Sequence, residues 1–361
     1  MFKAIVSALV VVSAFALGFV EQAIAQQAMP TGAAALDQIH TIAEFKFENG
    51  MTIKNLKVGY DLYGKLNEAK DNAIVVGHGA SGGRKQYLPY IGPGKLFDTE
   101  RYLIIAPDAI GGGLSSSPKD GMGPDFPAYN VRDMMRAEHD LVTRGLGLTG
   151  LRAVHGGSLG SQIALEWSIH HPDFMRGVVL FAPSARIDVH ARLFFQAVRD
   201  VIMLDPKYRG GHYTENPEAG LRLAGLIYSP WLLSDAFLDS MKTPEQYKMI
   251  SNILSNPYAA WDANSLIYRY RNDHDVAIPF GGDQKLALSK VKAKVLVVAS
   301  STDRTLAPFL AREISDGVTG AVYLEIQSIR GHAAVFQGDE KSPEYIFLTG
   351  KTKTFLDSLG P

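Results

Sequence analysis

Arg152-Ala-Val-His-Gly-Gly-Ser158-Leu-Gly-Ser-Gln-Ile-Ala-Leu-Glu-Trp167 is the stretch that decides how the rest of the chain is read. It runs from a short apolar strand through a glycine-flanked serine into a helix carrying Ile163, Leu165 and Trp167 among polar residues. Gly156 to Gly160 fits G-x-S-x-G, the nucleophile elbow, in which a serine sits on a sharp strained turn with its Oγ held above the sheet edge. A Cβ at the flanking positions would collide with the neighbouring strand or helix, so glycine is favoured there. The helix that follows aims unpaired backbone N–H groups at the place where negative charge develops. A glycine-rich βα turn with an incidental serine would share the pattern; the strand before it and the amphipathic helix after it favour the elbow.

The 361 residues are 46% hydrophobic and 20% charged, enough for a large core. A net charge of −1 gives no reason to expect nucleic acid or an anionic membrane surface as partner. The chain has no cysteine, which excludes disulfides, thiolate metal sites and a cysteine nucleophile. Residues 1–25 read as a secretory signal peptide: Lys3, an apolar run from Ala4 to Val20, and Ala23-Ile24-Ala25 before Gln26. Cleavage there predicts a periplasmic or secreted protein with no membrane attachment, an uncleaved anchor being the alternative.

Residues 26–42 look like a loose leader, and Glu44–Phe47 and Lys54–Tyr63 alternate as half-solvated antiparallel strands do. Ala73–Gly77, Tyr102–Ala106, Arg152–His155, Gly177–Phe181, Lys294–Ala299 and Val322–Ile326 are continuous apolar runs, expected of strands buried on both faces. Helical stretches at Val131–Gly145, Ser158–His171, Ala307–Ser315 and Pro343–Leu359 separate several of them. This alternation predicts an α/β-hydrolase fold, a mainly parallel sheet with helices on both faces. It breaks over 184–290, an aromatic-rich helical stretch read as a cap inserted between core halves 26–183 and 291–361, placed to roof the serine.

A serine hydroxyl needs a base within hydrogen-bond reach and a third group to orient that base. Asp303 follows the strand Lys294–Ala299, and His332 follows the next one, in the Ser…Asp…His order of this fold. Of ten histidines only His332 has that position: His155 belongs in the elbow strand, His170 and His171 end a helix, and His139 falls on a helix surface. Asp283 and Asp316 are alternatives to Asp303, but neither directly follows a strand. The oxyanion donors are expected to be the backbone N–H of Leu159 and that of Ala80, in the glycine-rich loop His78-Gly-Ala-Ser-Gly-Gly83. That loop lacks the lysine and hydroxyl of a phosphate-binding loop. No metal cluster is visible, Asp273-His274-Asp275 reading as a solvated charge patch, and no cofactor is expected.

With these residues in hand, the chain resembles the homoserine O-acetyltransferase family of α/β-hydrolase-fold acyltransferases. The resemblance rests on Ile91–Tyr102, on Phe126-Pro-Ala-Tyr-Asn-Val-Arg-Asp-Met-Met-Arg-Ala137, on the elbow through Trp167, and on Ala197–Pro206 with Gly210–Tyr213. It implies the Ser158, Asp303 and His332 triad, and a homodimer formed through the cap. Two departures stand out. Members that acetylate homoserine carry an Asp after the catalytic histidine to bind the amino group, where this chain has Ala333. The cap arginine that holds the carboxylate falls on Gly225, with Arg222 nearby as a stand-in. Each charge-assisted hydrogen bond lost is worth about 1.5–3 kcal/mol, so a less charged substrate is expected. An exported protein also lacks access to acyl-CoA. The expectation is therefore an exported serine hydrolase cleaving a small-molecule ester or related acyl bond. An O-acyltransferase is the alternative, and a binding protein without activity is the third reading.

Overall fold

The structure, a computed structural model, describes residues 33–360; the signal peptide expected over 1–25 lies outside the described residues. Eight strands, β1 (Ala33–Lys46), β2 (Thr52–Tyr63), β3 (Ala73–Gly77), β4 (Leu103–Pro107), β5 (Leu151–Gly157), β6 (Met175–Phe181), β7 (Lys294–Ser300) and β8 (Val322–Ile326), form one sheet. Their order is β1-β2-β4-β3-β5-β6-β7-β8, with β1, β2 and β4 antiparallel at one side and every pair from β4 onward parallel. The expected α/β-hydrolase sheet is thus present. β3, β4 and β5 are buried at every position, as their unbroken apolar runs require of strands covered on both faces.

The loose leader expected over 26–42 needs correction, because from Ala33 the chain is already strand and Ile39 pairs with Gly59. Two register shifts fall between Ala33 and Gln38, with Asp37 at a φ of 53°, and they break the alternation that would have marked this part as a strand.

One face of the sheet is covered by α1 (Val131–Asp140), α2 (Leu159–His170) and α9 (Pro308–Gly317); the other packs against α10 (Pro343–Asp357) and the segment around Tyr87–Phe97. α2 is not amphipathic as expected: it is buried all round from Leu159 to Ile169, being enclosed by the sheet, α1 and the chain near His274. Its polar residues are accordingly paired inside. Glu166 is within 3.4 Å of Arg132, 3.0 Å of His170 and 3.4 Å of His274. His274 is therefore buried rather than part of a solvated patch. His139, expected on a solvated helix surface, stacks on His171 with ring centroids 3.8 Å apart and packs against Trp167 and Phe174.

The cap consists of α3 (Val189–Met203), α4 (Glu218–Leu232), α5 (Asp235–Asp239), α6 (Pro244–Ala259) and α7 (Ala263–Arg269). Its rings and aliphatic chains make their own apolar cluster, from Ile187 to Tyr270. Val276, Ala287 and Leu288 (the last two in α8, Gln284–Leu288) pack instead into the cluster beneath the sheet.

Candidate active site

The elbow is built as its glycines require. Ser158 has φ 54° and ψ −117°, a left-handed conformation that a non-glycine residue keeps only where its surroundings enforce it. The Ser158 N–H donates to Phe181 O at 2.9 Å, which ties the turn to β6. A Cβ on Gly156 would lie 2.0 Å from Gly160 C, and one on Gly160 would lie 2.6 Å from Gly77 C. β3, β5 and α2 converge closely enough to hold the serine at the rim, and no side chain fits between them.

His332 and Asp303 come together from the loops after β8 and β7. His332 Nδ1 is 2.6 Å from Asp303 Oδ2, and both side chains are buried. The other carboxylate oxygen of Asp303 accepts from Thr305 N at 2.8 Å and Leu306 N at 2.9 Å, which fixes its orientation. Pairing of Nδ1 with a carboxylate leaves Nε2 as the ring's other nitrogen, turned away from Asp303. Nε2 is buried without a hydrogen-bond partner among the described residues, and His332 and Ser158 line the same cavity. Ser158 Oγ does not yet hydrogen-bond to it in this structure; such bonds commonly tighten only when substrate is bound.

The histidine loop is fastened to the cap. Gly331 has φ 62°, and a Cβ there would lie 2.7 Å from Leu232 O and 3.0 Å from Ser234 N. Ser234 Oγ donates to Ile329 O, and Thr305 Oγ1 donates to Trp231 O at 2.9 Å. The end of α4 and the loops carrying Asp303 and His332 are one packed unit.

On the opposite wall, the loop after β3 presents its backbone to the cavity. Gly79 N–H is already used, donating to Gln86 Oε1 at 2.7 Å, whereas no described residue accepts from Ala80 N–H. Leu159 N–H is the first amide of α2 and has no acceptor within the helix. Both expected oxyanion donors therefore lie beside the serine, one in the loop after β3 and one at the start of α2. His78 stabilises the loop as a neutral ring: Nδ1 bonds Gly79 O at 2.7 Å and Nε2 accepts from Ala109 N at 3.0 Å. Burial first, then the charge of Arg269, lowers its pKa to about 4. Arg269 reaches in from the end of α7, donating to Ala109 O at 2.8 Å and to Ala80 O at 3.4 Å. Arg84 forms a buried knot with Asp61 at 3.0 Å and Asp108 at 2.6 Å behind the same loop.

The cavity has a volume of about 740 Å³, and the cap roofs it with Tyr213, Tyr228, Tyr258, Trp261 and Tyr270. Tyr258 and Tyr270 hydrogen-bond to each other through their hydroxyls. The two expected substrate contacts are placed elsewhere. Arg222 is on the exposed side of α4, bonded to Glu218 at 2.6 Å and to Asn256, outside the cavity lining. Ala333 is fully buried in the cap's apolar cluster and does not line the cavity. Gly225 does line it, at the crossing of α4 and α6, where a Cβ would come 2.3 Å from Leu254 O. Sequence reasoning missed Gln86, Arg269 and Phe336, which share the cavity or brace its loop.

This fold and site define an α/β-hydrolase-fold enzyme, and residues 72–339 match the family described as alpha/beta hydrolase fold. A homoserine O-acetyltransferase of Leptospira biflexa is 33% identical over 335 residues, spanning 82% of this chain and 88% of its own. Among solved structures, an acetylester hydrolase from Corynebacterium glutamicum gives a TM-score of 0.84 at 27% identity, covering 89% of this chain and 96% of its own. The homoserine O-acetyltransferase from Bacillus anthracis gives 0.78 at 26% identity, covering 89% and 97%. Within the α/β-hydrolase class, the chain belongs to the homoserine O-acetyltransferase-like family. The exported ester hydrolase expected from the sequence is corrected by the relatives that are 30% or more identical, which are named for O-acyl transfer to homoserine. That expectation leaned on an apolar corner at Ala333, a residue that does not line the cavity.

Proposed function

We propose that the protein is an O-acyltransferase that carries an acyl group from an activated ester or thioester to a hydroxyl acceptor by way of an acyl-Ser158 intermediate. The observation that carries this reading is that Ser158, on its elbow, lines one cavity with His332, itself paired to buried Asp303, in a chain 33% identical to a homoserine O-acetyltransferase. Ser158 Oγ attacks the acyl carbonyl while His332 Nε2 takes its proton and then delivers it to the leaving group. Asp303 holds the ring and stabilises the imidazolium. Ala80 N–H and Leu159 N–H bind the oxyanion, a role worth about 100- to 1,000-fold in kcat per donor. In the second half, the acceptor hydroxyl gives its proton to Nε2 and attacks the acyl-enzyme, releasing the ester and restoring Ser158.

The cavity wall favours an acceptor less charged than homoserine. Among its charged residues Arg84 and Asp108 neutralise each other, Asp262 is held by Tyr213 and Ser265, Lys85 lies 3.8 Å from Asp37, and Lys119 donates to Gly113 O at 3.1 Å. Neither Arg222 nor position 333 offers a charge to it. The test supplies p-nitrophenyl acetate as donor, with homoserine or an uncharged primary alcohol as acceptor. We expect a burst of p-nitrophenol, acyl ester formed on the alcohol in preference to water, and loss of both with Ser158→Ala. Delivery of all acyl groups to water would overturn the transferase; preferential capture by homoserine would overturn the acceptor assignment alone.

A further inference from the structure

A second cavity, of about 620 Å³, lies between α3, the segment that follows α7 and the start of α1, with Leu159 at its floor. From α3 it receives Arg192, Gln196 and Arg199, whose i, i+4, i+7 spacing puts all three on one helix face. The two arginines are about 10 Å apart along the axis at 1.5 Å per residue. Arg271 faces them from the segment after α7, its guanidinium 4.2 Å from the centre of the Tyr268 ring.

These three guanidiniums lack carboxylate partners. Among the described residues Arg192 donates to Ile187 O at 3.3 Å, Arg199 donates to Tyr270 O, and none of the three forms an ion pair. Each guanidinium carries five N–H groups, so most of their donors have no acceptor in the protein. Burial lowers the Arg199 pKa, and Arg271 adds to this while Asp200 and Asp273 work against it. The acidic residues lining the cavity are Asp273 and Asp275, and one oxygen of Asp275 is taken by Ala277 N at 2.8 Å. At the inner end His274 is buried, with Nδ1 3.4 Å from Glu166 Oε1 and no hydrogen-bond partner at Nε2. Arg199 is half-buried while Arg192 and Arg271 are exposed; three guanidiniums gathered without counter-charge repel one another, and an oxyanion that fits the planar fork relieves that repulsion.

We infer that this cavity is a binding site, separate from the serine, for a small organic anion carrying two or more phosphate or carboxylate groups, held by Arg192, Arg199 and Arg271. Three forks against at most two carboxylates leave net positive charge, and the span between the arginines suits a ligand with separated anionic groups. Isothermal titration of the full protein tests it, with pyrophosphate and citrate as probes at constant ionic strength and glycerol as neutral control.

Saturable one-site binding of either anion, and none of glycerol, is expected. Pyrophosphate alone would mark the ligand as a phosphate, and citrate alone as a polycarboxylate. The R192Q/R271Q double variant should bind about 100-fold more weakly and each single variant about tenfold. Acyl transfer should stay unchanged, since neither residue lines the catalytic cavity. The R199K variant keeps the charge but loses the fork, and should fall between. Absence of saturable binding by both anions, or affinity unchanged in R192Q/R271Q, would overturn the assignment.

Discussion

Asp303 holds two backbone amides with one carboxylate oxygen and the His332 ring with the other. An asparagine there can still accept from the amides through its carbonyl, yet it would present an N–H or a weaker acceptor to Nδ1 and favour the wrong tautomer. Asp303→Asn should therefore melt near the parent temperature while kcat falls about 10,000-fold. Ser158→Ala should lose about a millionfold in steady-state turnover and the p-nitrophenol burst altogether. Gln86→Ala makes a subtler test. It frees Gly79 N–H beside the oxyanion site without touching the triad, so kcat should drop about tenfold with KM nearly constant. A fall in KM affinity with kcat intact would show that Gln86 contacts substrate instead.

Among the elements, the crossing of α4 over α6 depends on Gly225, whose absent Cβ lets the helices approach to within contact of Leu254 O. Gly225→Ala should destabilise the cap by about 1–3 kcal/mol, read from the urea midpoint, because a methyl group forces the helices apart. The elements also explain what could be read in advance. The meeting of Asp303 with His332, and their sharing of a cavity with Ser158, was legible because each follows a buried apolar strand, and the flanking glycines of the elbow answer a local steric demand. The position of Ala80 and Leu159 beside the serine was legible from the loop after β3 and the start of the helix. Arg269 was not: it reaches Ala80 O across 189 positions of sequence, and no period or motif records that contact. Arg222 was placed by alignment within the cap, where helix rotation decides which side faces the cavity and one residue of slippage reverses the answer; Ala333 was placed by its adjacency to His332, but its side chain packs into the cap's apolar cluster instead. The early part of β1 was hidden by its register shifts, which removed the alternation on which strand reading relies.

Over the whole molecule, buried histidines make the fold sensitive to acid. Burial holds His78 at about 4, His155 at about 3 and His171 at about 4, all below the ordinary value of 6.5. Between pH 6.5 and about 4 the unfolded chain binds these three protons and the folded chain does not, so stability falls as pH falls. Glu138 works the other way: burial raises its carboxyl to about 8, so from pH 4.5 to 8 the folded chain holds one proton that the unfolded chain has released. Three protons against one leave a net drive toward unfolding on acidification. The melting temperature should decline steadily from pH 6.5 to 4.5 and more steeply below, where the opposing glutamate no longer contributes. A melting temperature flat over pH 6.5–4.5 would contradict this balance.

The fastening of Gly331, Ile329 and Thr305 to the backbone at 231–234 bears on how such enzymes could be remodelled. A roof riveted to the proton-shuttling side cannot swing away as a door without pulling the base off its perch, so molecules must come and go along the far wall. Transplanting a relative's roof to change selectivity would misalign the imidazole unless residues 301–306 and 328–336 travelled with it as one cassette.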